Sequence, residues 1–240
     1  VCLTAYSKPV AKILDKYCDI ILVGDSLATA MYGMKNTHQI GLKTMILHGI
    51  SVKSNTSKSL CVMDMPINTY RSIKEAKKNV KLVVKQTKCD AVKMEYNGKN
   101  YKILESVVKL GIPVMGHIGF TPQHYKKFKV QGSLEKDRRR LLREAKENEK
   151  AGVFSIVVEC VPSNVAKEIT QSLKIPTIGI GASINCDGQI LVTDDMLGLS
   201  GFYPRFVKKF ARLNNIIEKG VQKYNKAVLT KKFPSKKNKF

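Results

Sequence analysis

The stretch Ala91 to His117, AVKMEYNGKNYKILESVVKLGIPVMGH, decides the fold. It opens on an apolar run, AVKME, that closes on the acid Glu95. A helical pattern follows over Lys99 to Leu110 and stops at Gly111, the residue type that readily takes the left-handed turn past a helix end. Pro113 then opens a second run, PVMGH, where a missing N–H does little harm, and that run closes on His117. Both runs are apolar at nearly every position, which suits strands covered on both faces and therefore a parallel sheet. The stretch is one strand–helix–strand unit.

The same alternation continues in both directions. Strand-like runs are read at Val1 to Tyr6, Ile20 to Asp25, Leu60 to Asp64, Ala91 to Glu95, Pro113 to His117, Ser155 to Cys160 and Pro176 to Ile180. Met196 to Ser200 is the candidate for an eighth. Helical patterns lie at Ser72 to Gln86, Lys99 to Leu110, Leu134 to Lys150 and Asn164 to Ser172, and Gly152 again marks a helix end. No G-x-G-x-x-G turn occurs, so the series predicts a (β/α)8 TIM barrel rather than an open doubly wound sheet. Residues 1–225 are expected to form that single barrel domain and 226–240 a basic, mobile tail. Thr29 to Asn55 and Gly119 to Ser133 read as longer connections of the functional kind, and Phe202, Tyr203 and Phe206 read as helix packing.

A chain of 240 residues with 43% hydrophobic side chains has the material for a core, which excludes global disorder. No apolar run approaches the roughly 20 residues of a membrane span, and no secretory leader opens the chain, so a soluble protein without a membrane partner is expected. The first residue is Val1, so residues upstream are expected too. Forty-two basic residues against nineteen acidic ones give +23. Only seven of the basic residues are Arg, the residue that best reads phosphate and bases, and lysines such as Lys74, Lys77, Lys78 and Lys81 fall on the water-facing side of a helix. The charge therefore reads as a solubilising surface, with a nucleic-acid-binding protein as the non-enzyme alternative. Six scattered cysteines without a CxxC pair argue against a disulfide scaffold or structural zinc and for a reducing, cytoplasmic setting.

Chemistry is signalled by where polar residues fall. Asp25, Asp64, Glu95, His117 and Glu159 each close a strand-like run. In a parallel barrel all those ends meet at one mouth, where active sites of this fold lie. Four acids there would repel one another and resist desolvation, a cost that a divalent cation relieves; oxygen ligands without Cys favour Mg2+ over Zn2+. His38, His48 and His124 have no acid or Cys at ligand spacing and read as surface or loop residues.

These segments resemble one family. VGDS at 23–26, VMDMP at 62–66, VKME at 92–95, GHIGFTPQ at 116–123, ECVP at 159–162, GIGA at 179–182 and DGQ at 187–189 are similar to motifs of the ketopantoate hydroxymethyltransferases, in order, from about Thr4 to about Lys209. The resemblance implies transfer of a one-carbon unit from the co-substrate 5,10-methylenetetrahydrofolate to 3-methyl-2-oxobutanoate, giving ketopantoate for pantothenate synthesis. It implies Asp25 and Asp64 as Mg2+ ligands with Glu95 acting at the metal through water. It implies Ser26 and Lys93 holding the oxo-acid, His117 lining the same site, and Glu159 as the general base, with a pKa raised by burial. It also implies a homo-oligomer, a decamer in the family. Ser7, Ala28, the stretch Lys35 to Leu42, Tyr96-Asn97 and Ser183 depart from the family pattern. Within enzymes the alternative is a Mg2+-dependent lyase or mutase acting on a 2-oxo acid in a barrel of the phosphoenolpyruvate mutase and isocitrate lyase type.

Overall fold

Eight short strands follow one another around a ring, each parallel to the next, and the last pairs with the first to close a barrel. They are β1 (Cys2–Thr4), β2 (Ile20–Val23), β3 (Leu60–Asp64), β4 (Ala91–Glu95), β5 (Val114–Gly119), β6 (Ser155–Glu159), β7 (Thr177–Ile180) and β8 (Gly188–Leu191). The helices are α1 (Lys8–Leu14), α2 (Leu27–Ala30), α3 (Leu42–Lys53), α4 (Ile73–Thr87), α5 (Tyr101–Val108), α6 (Glu135–Ala151), α7 (Ser163–Ser172), α8 (Thr193–Leu197) and α9 (Leu213–Leu229). This computed structural model describes all residues except 126, 127, 202 and 240, so Phe202 lies outside the described residues.

The chain forms two units, Val1–Val192 and Thr193–Phe240. The first holds the whole barrel and α1 to α7. The second holds α8 and α9; α9 runs to Leu229 and none of its residues is buried. Tyr203 and Phe206 lie in the irregular stretch between these two helices, not on a helix as their sequence suggested.

The eighth strand is Gly188–Leu191, and Met196 to Ser200 is not a strand. Asp194 and Asp195 sit in the first turn of α8, where acids favour a helix start, and this helix takes Met196 and Leu197. Thr29 to Asn55 is likewise more than a connection, because it contains the twelve-residue helix α3.

Two cores follow from the two-residue period of the strands. Ile21, Val23, Met63, Val92, Met94, Ile156 and Val158 face outward and pack with helix residues such as Val80, Val83, Leu104, Leu141 and Ile169. Cys2, Ile20, Leu22, Val62, Ala91, Met115, Val157, Ile178 and Ile190 alternate with them and form a separate cluster, the plug of the barrel interior. Counting on by two along each strand from this plug reaches Asp64, Lys93, Glu95, His117 and Glu159. The inward positions therefore change from apolar to ionisable toward the C-terminal mouth.

Candidate active site

Strand register sets the polar layer. Asp64 of β3 pairs with Lys93 of β4, and Glu95 pairs with His117 of β5. Lys93 Nζ lies 2.6 Å from Asp64 Oδ1 and 3.5 Å from His117 Nδ1. His117 Nδ1 lies 3.7 Å from Glu95 Oε1, and its Nε2 lies 3.2 Å from Glu159 Oε2. Asp25 reaches the layer from the turn after β2, where its backbone N–H donates to Asp64 Oδ2 at 2.9 Å. Ser26 follows, its Oγ 2.8 Å from the Tyr6 hydroxyl. The structure thus brings together every residue the sequence nominated: Asp25, Ser26, Asp64, Lys93, Glu95, His117 and Glu159.

Burial decides the protonation states. Asp25, Asp64, Lys93, Glu95 and His117 are all buried, whereas the Glu159 side chain keeps 15% exposure. Burial and the neighbouring Asp64 push the Asp25 carboxyl up to about 7, and burial with Asp25 nearby raises Glu95 as well. Burial alone would lower Lys93, but Asp64, Asp25 and Glu95 outweigh it, so the ammonium is held charged. For His117 burial and then Lys93 act in the same direction, and the imidazole stays neutral. Its approaches to Glu95 and Glu159 are therefore not ion pairs, and Nε2 is a buried polar atom without a hydrogen-bond partner. Burial raises Glu159 to about 8, against the pull of Lys93.

The sequence singled out no role for Gln123 or Tyr70, and both are part of the site. Gln123 Nε2 donates to Asp25 Oδ2 at 2.8 Å and to the Met65 carbonyl at 3.0 Å, and its backbone N–H donates to Glu95 Oε2 at 3.0 Å. The Tyr70 hydroxyl donates to Gln123 Oε1. Gln123 ends the quoted GHIGFTPQ motif, and that was its one visible signal. Among the departures, Tyr96 points to α6, where its hydroxyl donates to Glu147 at 2.6 Å, and the Ser183 hydroxyl meets Ser163 and Asn185. Of the other histidines, His38 Nε2 meets the Pro122 carbonyl at 2.9 Å and His48 Nδ1 the Tyr6 carbonyl at 2.6 Å.

Among the described residues no three His, Cys, Asp or Glu side chains are grouped so as to hold an ion by themselves. The mouth offers a pair, Asp25 and Asp64, whose mutual repulsion a positive charge would relieve. Its donors are carboxylate oxygens, which fit a hard cation; Mg2+ commonly takes one or two carboxylates and fills its other positions with water or substrate oxygens. Two carboxylates therefore suffice.

A closed parallel barrel whose mouth gathers acids, a charged lysine and a neutral histidine is the framework of a barrel enzyme. Comparison with known proteins gives the family: residues 1–236 match the model of ketopantoate hydroxymethyltransferase. The chain is 49% identical to the 3-methyl-2-oxobutanoate hydroxymethyltransferase of Pelagibacter ubique over 99% of this chain and 93% of that one. It is 47% identical to the enzyme of that name from Anaplasma marginale, over 97% and 85%. The chain belongs to the ketopantoate hydroxymethyltransferase family and is a transferase. Among solved structures, 2,3-dimethylmalate lyase of the PEP mutase/isocitrate lyase superfamily superposes with a TM-score of 0.64 at 11% identity, covering 95% of this chain and 79% of that one. Phosphonopyruvate hydrolase, in complex with oxalate and Mg2+, gives 0.57 at 14% identity, over 99% and 87%. These two share the fold.

Proposed function

We propose that the protein transfers a hydroxymethyl group from 5,10-methylenetetrahydrofolate to 3-methyl-2-oxobutanoate, giving ketopantoate for pantothenate synthesis. The observation that carries this reading is the pairing, across one mouth, of a buried Asp–Asp–Lys group with Glu159, a carboxyl raised to about 8 that still reaches solvent. Asp25 and Asp64 would hold Mg2+, with Glu95 acting through water. When bound, the ion supplies Lewis-acid stabilisation of charge on the keto oxygen. Lys93 and Ser26 hold the substrate's carboxylate and keto oxygen, and His117, neutral and fixed between two strands, lines the same space.

Glu159 takes the C3 proton onto a carboxylate oxygen, and the electrons of that C–H bond go on to form the new carbon–carbon bond to the folate's methylene carbon as one of its two bonds to folate nitrogen breaks, the electron pair going to that nitrogen. Water then supplies the hydroxyl as the second carbon–nitrogen bond breaks, and tetrahydrofolate leaves with the C3 proton and one proton of that water on its two nitrogens. The base lies on β6, apart from the β2 and β3 acids, so it can face C3 while they face the oxo end. Lys93 keeps part of Glu159 ionised by opposing its desolvation.

The protein acts as a homo-oligomer in this reading. Ile216, Ile217, Val221, Tyr224 and Val228 stand exposed on α9, an apolar face that a second copy would cover. No nucleic-acid role is assigned: Arg71, Arg138, Arg139, Arg140 and Arg143 are paired with glutamates rather than free for phosphate. All six cysteines are free, which fits a reducing cytoplasm, and no described helix is long and apolar enough to cross a membrane.

The test is an assay of ketopantoate formation with the folate, the oxo-acid and Mg2+. Product is expected only when all three are present, with loss in chelator and a drop of at least about 10²-fold in Asp64→Asn, comparable to losing a preorganised charge-stabilising group. Folate-independent cleavage or rearrangement of a 2-oxo acid would instead support the lyase or mutase reading.

A further inference from the structure

Each acid in the mouth has two oxygens, and the structure divides them. Asp64 gives Oδ2 to the Asp25 N–H and Oδ1 to Lys93. Asp25 gives Oδ2 to Gln123, and Glu95 gives Oε2 to the Gln123 backbone N–H. No described residue donates a hydrogen bond to Asp25 Oδ1 or Glu95 Oε1, the latter lying 3.7 Å from His117 Nδ1. One residue, 3% exposed, thus ties one oxygen of each of two acids and leaves the other oxygen open.

The Gln123 amide has no freedom to turn over. Its nitrogen faces two acceptors, the Asp25 carboxylate and the Met65 carbonyl, while its oxygen accepts from Tyr70. Exchanging the two ends would set the amide oxygen against both the Asp25 carboxylate and the Met65 carbonyl. The two acceptors fix the orientation, and Tyr70, itself buried, locks it by donating to the oxygen end. The loop after β5 reaches back across the mouth to the β2 and β3 ends through this one side chain.

We propose that Gln123 is a positioning residue for the cation: it turns the Asp25 carboxylate so that Oδ1 is the ligand atom, and Tyr70 acts through it. This rests on the assignment of Asp25 as a Mg2+ ligand. Groups that orient a ligand carboxylate without touching the metal typically change its affinity 10–100-fold when removed. Gln123→Leu keeps the volume and the backbone N–H to Glu95 but loses both side-chain donors. Tyr70→Phe keeps Gln123 and loses only the lock.

The experiment measures Mg2+ binding by calorimetry to the wild type, Gln123→Leu and Tyr70→Phe, with melting in chelator beside it. We expect the Mg2+ Kd to rise about 10–100-fold in Gln123→Leu and several-fold in Tyr70→Phe, in the order of their distance from Asp25. A variant that melts lower in chelator yet binds Mg2+ as the wild type does would reduce Gln123 to a packing residue and overturn the proposal. Should Gln123→Leu not fold, Tyr70→Phe with unchanged affinity decides against it in the same way. A wild type that binds no Mg2+ would bring down the metal assignment itself along with this inference, which distinguishes the two failures.

Discussion

Asp15 stands outside the mouth, after α1, and shows how much one side chain can organise. It accepts from the N–H groups of Lys58 and Ser59 with one oxygen, and from the N–H and hydroxyl of Ser57 with the other. Its slight burial opposes ionisation, but these donors outweigh it and hold the carboxyl well below the usual carboxylate range. A carboxyl depressed on folding stabilises above its unfolded pKa of about 3.9, and that contribution is lost as pH falls through the folded value. Asp15→Ala should therefore cost stability at neutral pH, about 1 kcal/mol after allowance for solvent access. The gap between variant and wild-type urea midpoints should narrow below about pH 4, where the unfolded chain's carboxyl takes up a proton that the folded one still resists. A gap that widens in acid would mean the carboxylate is not the source. The same contrast separates what was legible at the mouth from what was not. Asp25, Asp64, Glu95, His117 and Glu159 could be read because each closes an apolar run. Gln123 and Tyr70 could not, because they sit in loops without a period and their importance lies in partners far away in sequence.

Between elements the closest fit is the seam of β5 and β6. Gly119 pairs with Glu159, carries a φ of +94°, and a Cβ there would lie 2.2 Å from the Glu159 carbonyl oxygen. That oxygen also accepts from the Phe120 N–H at 2.8 Å. Neither the backbone conformation nor the space admits a side chain, and the atom in the way is backbone that cannot step aside. Gly119→Ala should lower stability by about 2–4 kcal/mol, the sum of a left-handed penalty and overpacking, and should reduce activity because the displaced residue is the proposed base. Unchanged urea midpoint and turnover would show that the seam has slack. Legibility also varied by element. Seven strands showed as continuous apolar runs, but β8, Gly188–Leu191, opens with Gly188 and Gln189 and has no such run. Helix α3 was hidden for the opposite reason. Leu42, Met45, Ile46, Gly49 and Val52 form an inward stripe, yet Leu47 and Ile50 are exposed, so apolar residues lie all round and the helical period is blurred.

For the molecule as a whole, the barrel's inward positions are apolar at one end and ionisable at the other, and the proposed chemistry needs that polarity. The apolar plug keeps water from the base of the site, which strengthens every charge above it. The central claim is that this mouth removes the C3 proton of 3-methyl-2-oxobutanoate with Glu159. That step does not need the folate. It is tested most directly by following exchange of the C3 proton in D2O, with the protein, Mg2+ and the oxo-acid alone. The wild type should exchange it, faster as pH rises while Glu159 loses its proton. Glu159→Gln keeps the shape and should be slower by about 10²–10⁴-fold, with Mg2+ binding retained through Asp25 and Asp64. Exchange by Glu159→Gln at the wild-type rate would show that another group is the base and contradict the account.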